Sequence, residues 1–460
     1  MLPPVSIVGL GKLGASMMAA IAMRGGTVVG VDVNPAAVEA VNAGRAPVRE
    51  TDLETTIVAH RSRIRATTDV VDAVHATAIT FVIVPTPSDE RGAFSPKYAE
   101  RAFRSIGQAL RKKAAYHLVV LTSTVLPGTT RQRLLPILEQ ESGKRAGEDF
   151  GLCYSPEFIA LGSVIRDFLN PDFTLIGEID ARSGTALEAF YAEIMTMHGP
   201  CKRMSLENAE LTKIAVNSFV TMKISFANLL ASLCERIPGG DVDVVTDAVG
   251  SDRRIGTRYL KGALGYGGPC FPRDNVALAF FARSVGVPAL VPEATDAANN
   301  LVPARVTERV ASLAQPGATI GLLGLAYKPA SHVIEESQSV AILDQLRDRG
   351  FPVVAFDPLV GTLPHRAADP GLQLVQDVAA VVEDADVVVV ATPDPVFAAF
   401  DWADALAQRP SLQVLDCWRL LARKVPAAAA DRYHVVGRND DPAQAHAELA
   451  ALWQAPGLGS

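Results

Sequence analysis

The chain has 460 residues, is 49% hydrophobic and 20% charged, and carries a formal net charge of −7. That length suits two or three domains of roughly 100–200 residues each, and the composition excludes a disordered or fibrous chain. No long basic run is present, which argues against nucleic acid as a partner. Five cysteines stand at 153, 201, 234, 270 and 417, an odd number with no metal-knuckle spacing. This pattern suits a reducing compartment, no metal site and a cytoplasmic protein. Residues 17–23 are apolar enough for a signal-peptide core, but no basic segment precedes them and a glycine motif lies directly upstream, so a buried helix is expected. No apolar run is expected to span a membrane.

The first module opens with Val5-Ser6-Ile7-Val8, a short β-branched strand. It leads into Gly9-Leu10-Gly11-Lys12-Leu13-Gly14, a helix from Ala15, a second strand Val28–Val31, and then Asp32. Strand, GxGxxG, helix, strand and acid is the order of a dinucleotide-binding unit. Gly9, Gly11, Leu13 and Gly14 are the expected pyrophosphate loop, with the helix N-terminus offering its N–H groups. Asp32, 18 residues after Gly14, is placed to accept from a ribose diol and to repel a 2′-phosphate, which favours NAD over NADP. Later strands end at Pro85-Thr86-Pro87 and at Thr122-Ser123-Thr124-Val125-Leu126-Pro127-Gly128-Thr129. Ligands lie beyond the carboxyl ends of such strands, so Thr86 and Thr124 are expected at the nicotinamide end. The plain alternative for Thr124 is a turn or cap residue. Glu157, in Ser155-Pro156-Glu157-Phe158, follows a further strand; it is either exposed or aimed into the cleft.

From Glu207 to Arg236 neither Gly nor Pro occurs. Leu211, Ile214, Ala215, Phe219, Met222, Phe226, Leu229, Leu230 and Leu233 recur at helical spacing, predicting a long helix buried on more than one side. It is long enough to link two domains or to pack on its own copy in a homodimer. Lys213 and Asn217 interrupt the pattern four residues apart on one face; a cleft pair and a snorkelling Lys are both open. The segment 252–261 is the most basic of the region and runs into Gly265-Tyr266-Gly267-Gly268-Pro269-Cys270-Phe271-Pro272-Arg273-Asp274. A cysteine on such a loop, near cations, is either a nucleophile or a buried turn thiol.

A third module begins with the strand-like Ala318–Gly324, followed by a helix from Ser339, a strand Val353–Phe356 and a strand Val387–Val390. It repeats the first architecture with an incomplete glycine motif. Lys328 stands near a strand end, where it suits a phosphate. Residues 441–460 read as a tail with a frayed end. The fold expected is α/β: two Rossmann-like doubly wound parallel-sheet domains joined by a long central helix and a helical middle domain. The boundaries expected are 1–203, 204–302, 316–440 and a tail 441–460.

Taken in order, the GLGKLG, VPTP, STVLPGT and SPEF stretches, the run from Glu210 through Lys213 and Asn217 to Ile224–Asn228, the Asp252–Gly256 segment and the cysteine loop resemble the UDP-glucose/GDP-mannose dehydrogenase family. The resemblance covers nearly the whole chain. It implies oxidation of the C6 hydroxyl of a nucleotide sugar to a carboxylate with two NAD. Cys270 would be the nucleophile, passing through a thiohemiacetal and a thioester. Lys213 would stabilise the oxyanion and Asn217 would hold the sugar. Asp274, Thr124 and Glu157 would position or activate water. Arg254, Tyr259, Lys261, Gly267, Lys328 and Arg419 would contact the nucleotide sugar, Gly267 and Gly268 by leaving room for it.

Two departures stand out. Leu161 replaces an acid of the family pattern, and Glu335 takes the place of an Arg that helps hold the cofactor phosphates. UDP-glucose is the simplest substrate. The alternatives are a UDP-N-acetylhexosamine, a diverged non-catalytic nucleotide-sugar binder, and a two-electron hydroxyacid dehydrogenase of the 6-phosphogluconate type, which needs no cysteine loop.

Overall fold

The computed structural model describes residues 2–159, 162–197 and 199–454. Leu161 therefore lies outside the described residues. The chain divides into two compact units, Met1–Val216 with Phe280–Pro288, and Asn217–Ala279 with Ala289–Ser460.

The first unit is built on an eight-stranded sheet. Its strands are β1 (Val5–Val8), β2 (Val28–Val31), β3 (Ile64–Thr67), β4 (Ile79–Val82), β5 (His117–Leu121), β6 (Phe150–Tyr154), β7 (Thr174–Glu178) and β8 (Cys201–Ser205). The spatial order is β3-β2-β1-β4-β5-β6-β7-β8. The first six follow the 3-2-1-4-5-6 order of a dinucleotide-binding fold. β1, β4 and β5 are buried end to end, as parallel strands covered by helices on both faces must be. One pair departs from the parallel pattern: β7 pairs antiparallel with β6, and β8 runs parallel to β7.

The second unit contains a six-stranded, fully parallel sheet of β9 (Ile320–Leu323), β10 (Val353–Phe356), β11 (Leu372–Leu374), β12 (Val387–Val390), β13 (Gln413–Asp416) and β14 (Tyr433–Val435). Its order, β11-β10-β9-β12-β13-β14, repeats that of the first six strands. The tail expected at 441–460 contains a helix, Pro442–Gln454. Asp441 caps it through Oδ1, which accepts from the Gln444 amide at 2.9 Å, and Pro442 suits its first position.

The helix Leu206–Cys234 begins in the first unit and continues in the second. Two expectations about it are corrected. By length and composition it is apolar enough to cross a membrane. Much of its apolar stripe is also not buried, Ile214 excepted. Leu211, Phe219, Phe226, Leu229 and Leu233 are exposed, Phe219 at 57%. Glu210, Lys213, Thr221, Ser225 and Asn228 are buried, beside Ala209, Ile214, Ala227 and Ala231. Each of these polar side chains has a hydrogen-bond partner inside the protein. The loops and helices packed on it present polar groups that need partners, loop backbone groups at Glu210, Lys213 and Asn228, so this polar face turns inward.

Candidate functional site

The glycine loop after β1 is shaped by close approach. Gly9 lies at φ +104°, and a Cβ there would sit 2.0 Å from the Ile83 carbonyl oxygen. A Cβ on Gly14 would sit 1.9 Å from the Gly9 oxygen. Around Gly11, by contrast, nothing lies within 4 Å of that position. Gly11 also precedes the helix Lys12–Met23, which has no side-chain cap and no acid in its first turn. Open space before uncapped N–H groups is what a pyrophosphate needs. Leu13 is half-buried in that turn. The Asp32 carboxylate accepts from the Leu10 amide at 2.7 Å and from the Asn34 amide at 2.8 Å. It thus anchors the glycine loop, and each oxygen keeps acceptor capacity for a ribose diol.

Beyond β4 and β5, the Thr86 hydroxyl donates to the Thr124 carbonyl at 2.7 Å. Ser123 Oγ accepts from the Val84 amide and donates to the Val84 carbonyl, both at 2.8 Å. The two loops are therefore tied together, with Thr86 buried and Thr124 half-buried. Sequence reasoning gave Ser123 no role, because its spacing carries no signal.

The long helix reaches this region through two side chains. Glu210 is fully buried, its carboxylate accepting from the amides of Gly128 at 2.5 Å and Thr130 at 2.8 Å. Burial pushes its carboxyl up to about 7, against the pull of those N–H groups. One turn later, Lys213 donates to the Glu157 carbonyl at 2.6 Å and lies 4.6 Å from the Phe158 ring centroid. Burial likewise raises the Glu157 carboxyl to about 7, and the Lys213 charge opposes that rise. Lys213 is thus a buried cation and not a snorkelling one. Glu210 went unassigned in the sequence; its signal was an acid on the same face as Lys213 and Asn217.

In the second unit, Asn217 Nδ2 donates to Asp274 Oδ2 at 2.6 Å, and Asp274 is buried. Cys270 is exposed and immediately precedes the helix Phe271–Ser284. Its carbonyl accepts from the Asp274 amide at 2.9 Å, closing the first turn. The N-terminal end of a helix favours an anion, which suits a thiolate nucleophile.

The loop leading to Cys270 is held on many sides. Asn228 accepts from the Ala263 amide at 2.8 Å and donates to the Leu264 carbonyl at 3.1 Å. Asn299 does the same to Tyr266, with 2.8 Å and 3.1 Å. The Gly268 amide donates to the Glu335 carbonyl at 3.1 Å. A Cβ on Gly267 would sit 2.1 Å from the Glu336 oxygen, and one on Gly268, at φ +80°, 2.6 Å from the Tyr327 ring. On the Cβ side of these two glycines, therefore, stand the protein's own atoms. Glu335 itself is exposed, with its carbonyl turned to the loop.

Arg419 needs a correction. Its side chain is 2% exposed. It makes a two-point pair with Asp243 at 2.7 and 2.9 Å and donates to the carbonyls of Val436 and Gly262 at 2.7 Å each. A longer bond to the Cys417 carbonyl at 3.5 Å completes its five donors. Such a guanidinium has nothing left for a substrate. Arg254 is exposed and paired with Asp252. Tyr259 is exposed at φ +60°, with its ring edge-on to Phe271 at 6.3 Å. Lys261 is exposed, and Lys328 is half-buried just past β9, with Nζ 5.7 Å from the Tyr327 ring centroid. Among the described residues no cluster of three His, Cys, Asp or Glu side chains is arranged to hold a metal.

Comparison with known proteins follows these divisions. Three models of one family match: the UDP-glucose/GDP-mannose dehydrogenase NAD binding domain over residues 4–195, the central domain over 207–301 and the UDP binding domain over 321–423. The chain is 35% identical to the UDP-glucose 6-dehydrogenase AglM of Haloferax volcanii, over 91% of this chain and 97% of that one. It is 32% identical to a GDP-mannose 6-dehydrogenase of Pseudomonas putida, over 90% and 95% of the two chains. A solved UDP-glucose dehydrogenase from Pyrobaculum islandicum superposes with a TM-score of 0.84 at 33% identity, covering 95% of this chain and 98% of that one. The open, uncapped loop at Gly11 and the Asp32 carboxylate fit the cofactor that the first of these models names, and NAD is the cofactor of the first unit.

Proposed function

Because the chain belongs to the UDP-glucose/GDP-mannose dehydrogenase family, we propose that it oxidises C6 of a nucleotide sugar to the carboxylate, with UDP-glucose as substrate. The observation that carries the reading is the exposed Cys270 at a helix N-terminus, on a loop anchored to the second sheet's unit. The likeness over nearly full length to a UDP-glucose 6-dehydrogenase supports the choice of sugar.

In this reading residues 1–203 hold NAD, 204–302 carry the cysteine loop and 316–440 hold the nucleotide. NAD supplies the hydride acceptor for each of two oxidations. The Cys270 sulfur adds to the C6 aldehyde, which turns the aldehyde into a bound alcohol-like hydride donor. Loss of the second hydride leaves a thioester on Cys270. Water then cleaves the C–S bond, releasing the carboxylate and the thiol. Lys213 stabilises the oxyanion, as a buried cation does well. Asn217 and Asp274 orient the sugar and water, and Glu157, with its raised carboxyl, is suited to general-base work near neutral pH. Thr124 and Thr86 border the nicotinamide. Arg254, Tyr259, Lys261 and Lys328 contact the nucleotide sugar.

The exposed apolar side chains of the long helix support a homodimer. From Ala215 through Phe219, Met222, Phe226 and Leu229 to Leu233 the steps alternate between four and three residues, the spacing of a helix–helix seam. The reading places the protein in the cytoplasm.

The test counts NADH formed per sugar consumed, for wild type and Cys270→Ser, across UDP-glucose, UDP-N-acetylhexosamines and GDP-mannose. Two NADH per UDP-glucose, and almost no turnover in the variant, is the expected result. One NADH per sugar with an active variant would overturn it, and faster turnover of another sugar would move the substrate assignment.

A further inference from the structure

A loop with glycines at 265, 267 and 268 before its thiol makes a poor rigid body on its own, since glycine carries the largest conformational freedom of any residue. The second unit compensates for this with side-chain amides. Asn228 pairs with the loop at Ala263 and Leu264, and Asn299 pairs at Tyr266. Each carboxamide both donates and accepts, as a neighbouring strand's backbone would. Both are buried, at 4% exposure. Gln338 Nε2 adds a bond to the Tyr266 carbonyl at 3.3 Å.

The surface beneath the loop is the segment that follows β9. Gly324, at φ +98°, opens that segment, and the helix Gln338–Asp348 closes it. In a doubly wound sheet this is the place where a nucleotide's phosphates rest. The cysteine loop is bonded to it through Glu335 and Gln338. Gly265 has no side chain because Asn299 stands there: a Cβ would lie 2.2 Å from Asn299 Oδ1.

We propose that Asn228 and Asn299 are positioning residues that tie the cysteine loop to the helices Leu206–Cys234 and Leu290–Asn300, beside the bonds that Glu335 and Gln338 make to it from the segment after β9, so that Cys270 keeps a set distance from the nucleotide end of the substrate. The inference rests on the function proposed above for its purpose, but its geometry is independent of it.

The test is the rate at which iodoacetamide alkylates Cys270, followed by peptide mass spectrometry in the native protein. Cys270 is the exposed cysteine, with Cys153, Cys234 and Cys417 buried. Asn228→Ala and Asn299→Ala are compared with wild type, together with Gly265→Ala, whose Cβ displaces the Asn299 and Gln338 side chains without altering either. The expected result is a change of about threefold or more in alkylation rate. With UDP-glucose, kcat should fall by roughly ten- to a hundredfold, while the Kd for NADH stays at the wild-type value. Asn299→Asp keeps the acceptor for the Tyr266 amide and should fall between wild type and Asn299→Ala. If a truncation variant does not fold, Gly265→Ala carries the test. Wild-type alkylation and kcat in folded Asn299→Ala and Gly265→Ala would overturn the inference. Altered alkylation in an enzyme that turns over no nucleotide sugar would support this positioning role and overturn the function.

Discussion

Lys213 donates from Nζ to the backbone carbonyl of Glu157 at 2.6 Å, so one cation holds that residue in place and opposes the rise that burial gives its carboxyl. Burial raises the carboxyl to about 7 and the lysine charge pulls it back. Activity limited by Glu157 as base should therefore rise with pH through about 7. Glu157→Gln should flatten that limb and lower kcat. Lys213→Ala should move the limb to higher pH, because the opposing charge is gone, and cut kcat by roughly a hundredfold or more. A kcat–pH profile of the three proteins checks this; an unmoved limb in Glu157→Gln would assign the base elsewhere.

Glu210 supplies a stability prediction of defined sign. Its folded-state carboxyl titrates near 7, above the ordinary 4.5. Between those values the native state holds a proton that the unfolded chain has released. Stability from this group is full below about 4.5, is lost as pH rises through about 7, and is level above that. The difference in denaturant midpoint between pH 5 and pH 8 should be smaller in Glu210→Gln than in wild type.

The glycine loop separates folding from binding. Gly11→Ala meets open space and should leave the melting temperature unchanged, yet weaken NADH binding about tenfold or more by filling the pyrophosphate approach. Gly9→Ala combines φ +104° with a 2.0 Å clash and should lower stability by roughly 1–3 kcal/mol as well. Fluorescence titration with NADH and thermal melts distinguish the two.

For Arg419 the expected loss is in stability. Arg419→Ala leaves Asp243 and the carbonyls of Gly262 and Val436 without their donor. Because Asp243 is partly exposed, the cost should lie toward the lower end of the range for breaking a buried pair, roughly 3 kcal/mol. An unchanged melting temperature with a raised KM for the nucleotide sugar would return Arg419 to the substrate site.

On the long helix, Phe219→Glu with Leu229→Glu places charge on the exposed apolar seam. Sedimentation should show a monomer in place of a dimer, with the circular dichroism of the folded protein retained. A dimer that persists would move the interface to another surface.

The inner strands β1, β2, β4, β5, β9, β10 and β12, the glycine motif with Asp32, the repeat of the Rossmann-like pattern and the cysteine loop were legible in the order of residues. They depend on local spacing: a buried strand needs a β-branched run, and a tight turn before a helix needs glycine. The buried side of the long helix was not legible. Its apolar and polar stripes recur every three or four residues alike, so helical period selects neither. The loops packed on it decided, because their backbone groups require Glu210, Lys213 and Asn228 as partners. Arg419 and the glycines at 265, 267 and 268 follow the same rule. Sequence marked them as residues with something to do. Only the atoms brought beside them by the tertiary fold, Asp243 and two carbonyls in one case, Asn299, Glu336 and Tyr327 in the other, show that they hold the protein together at the site.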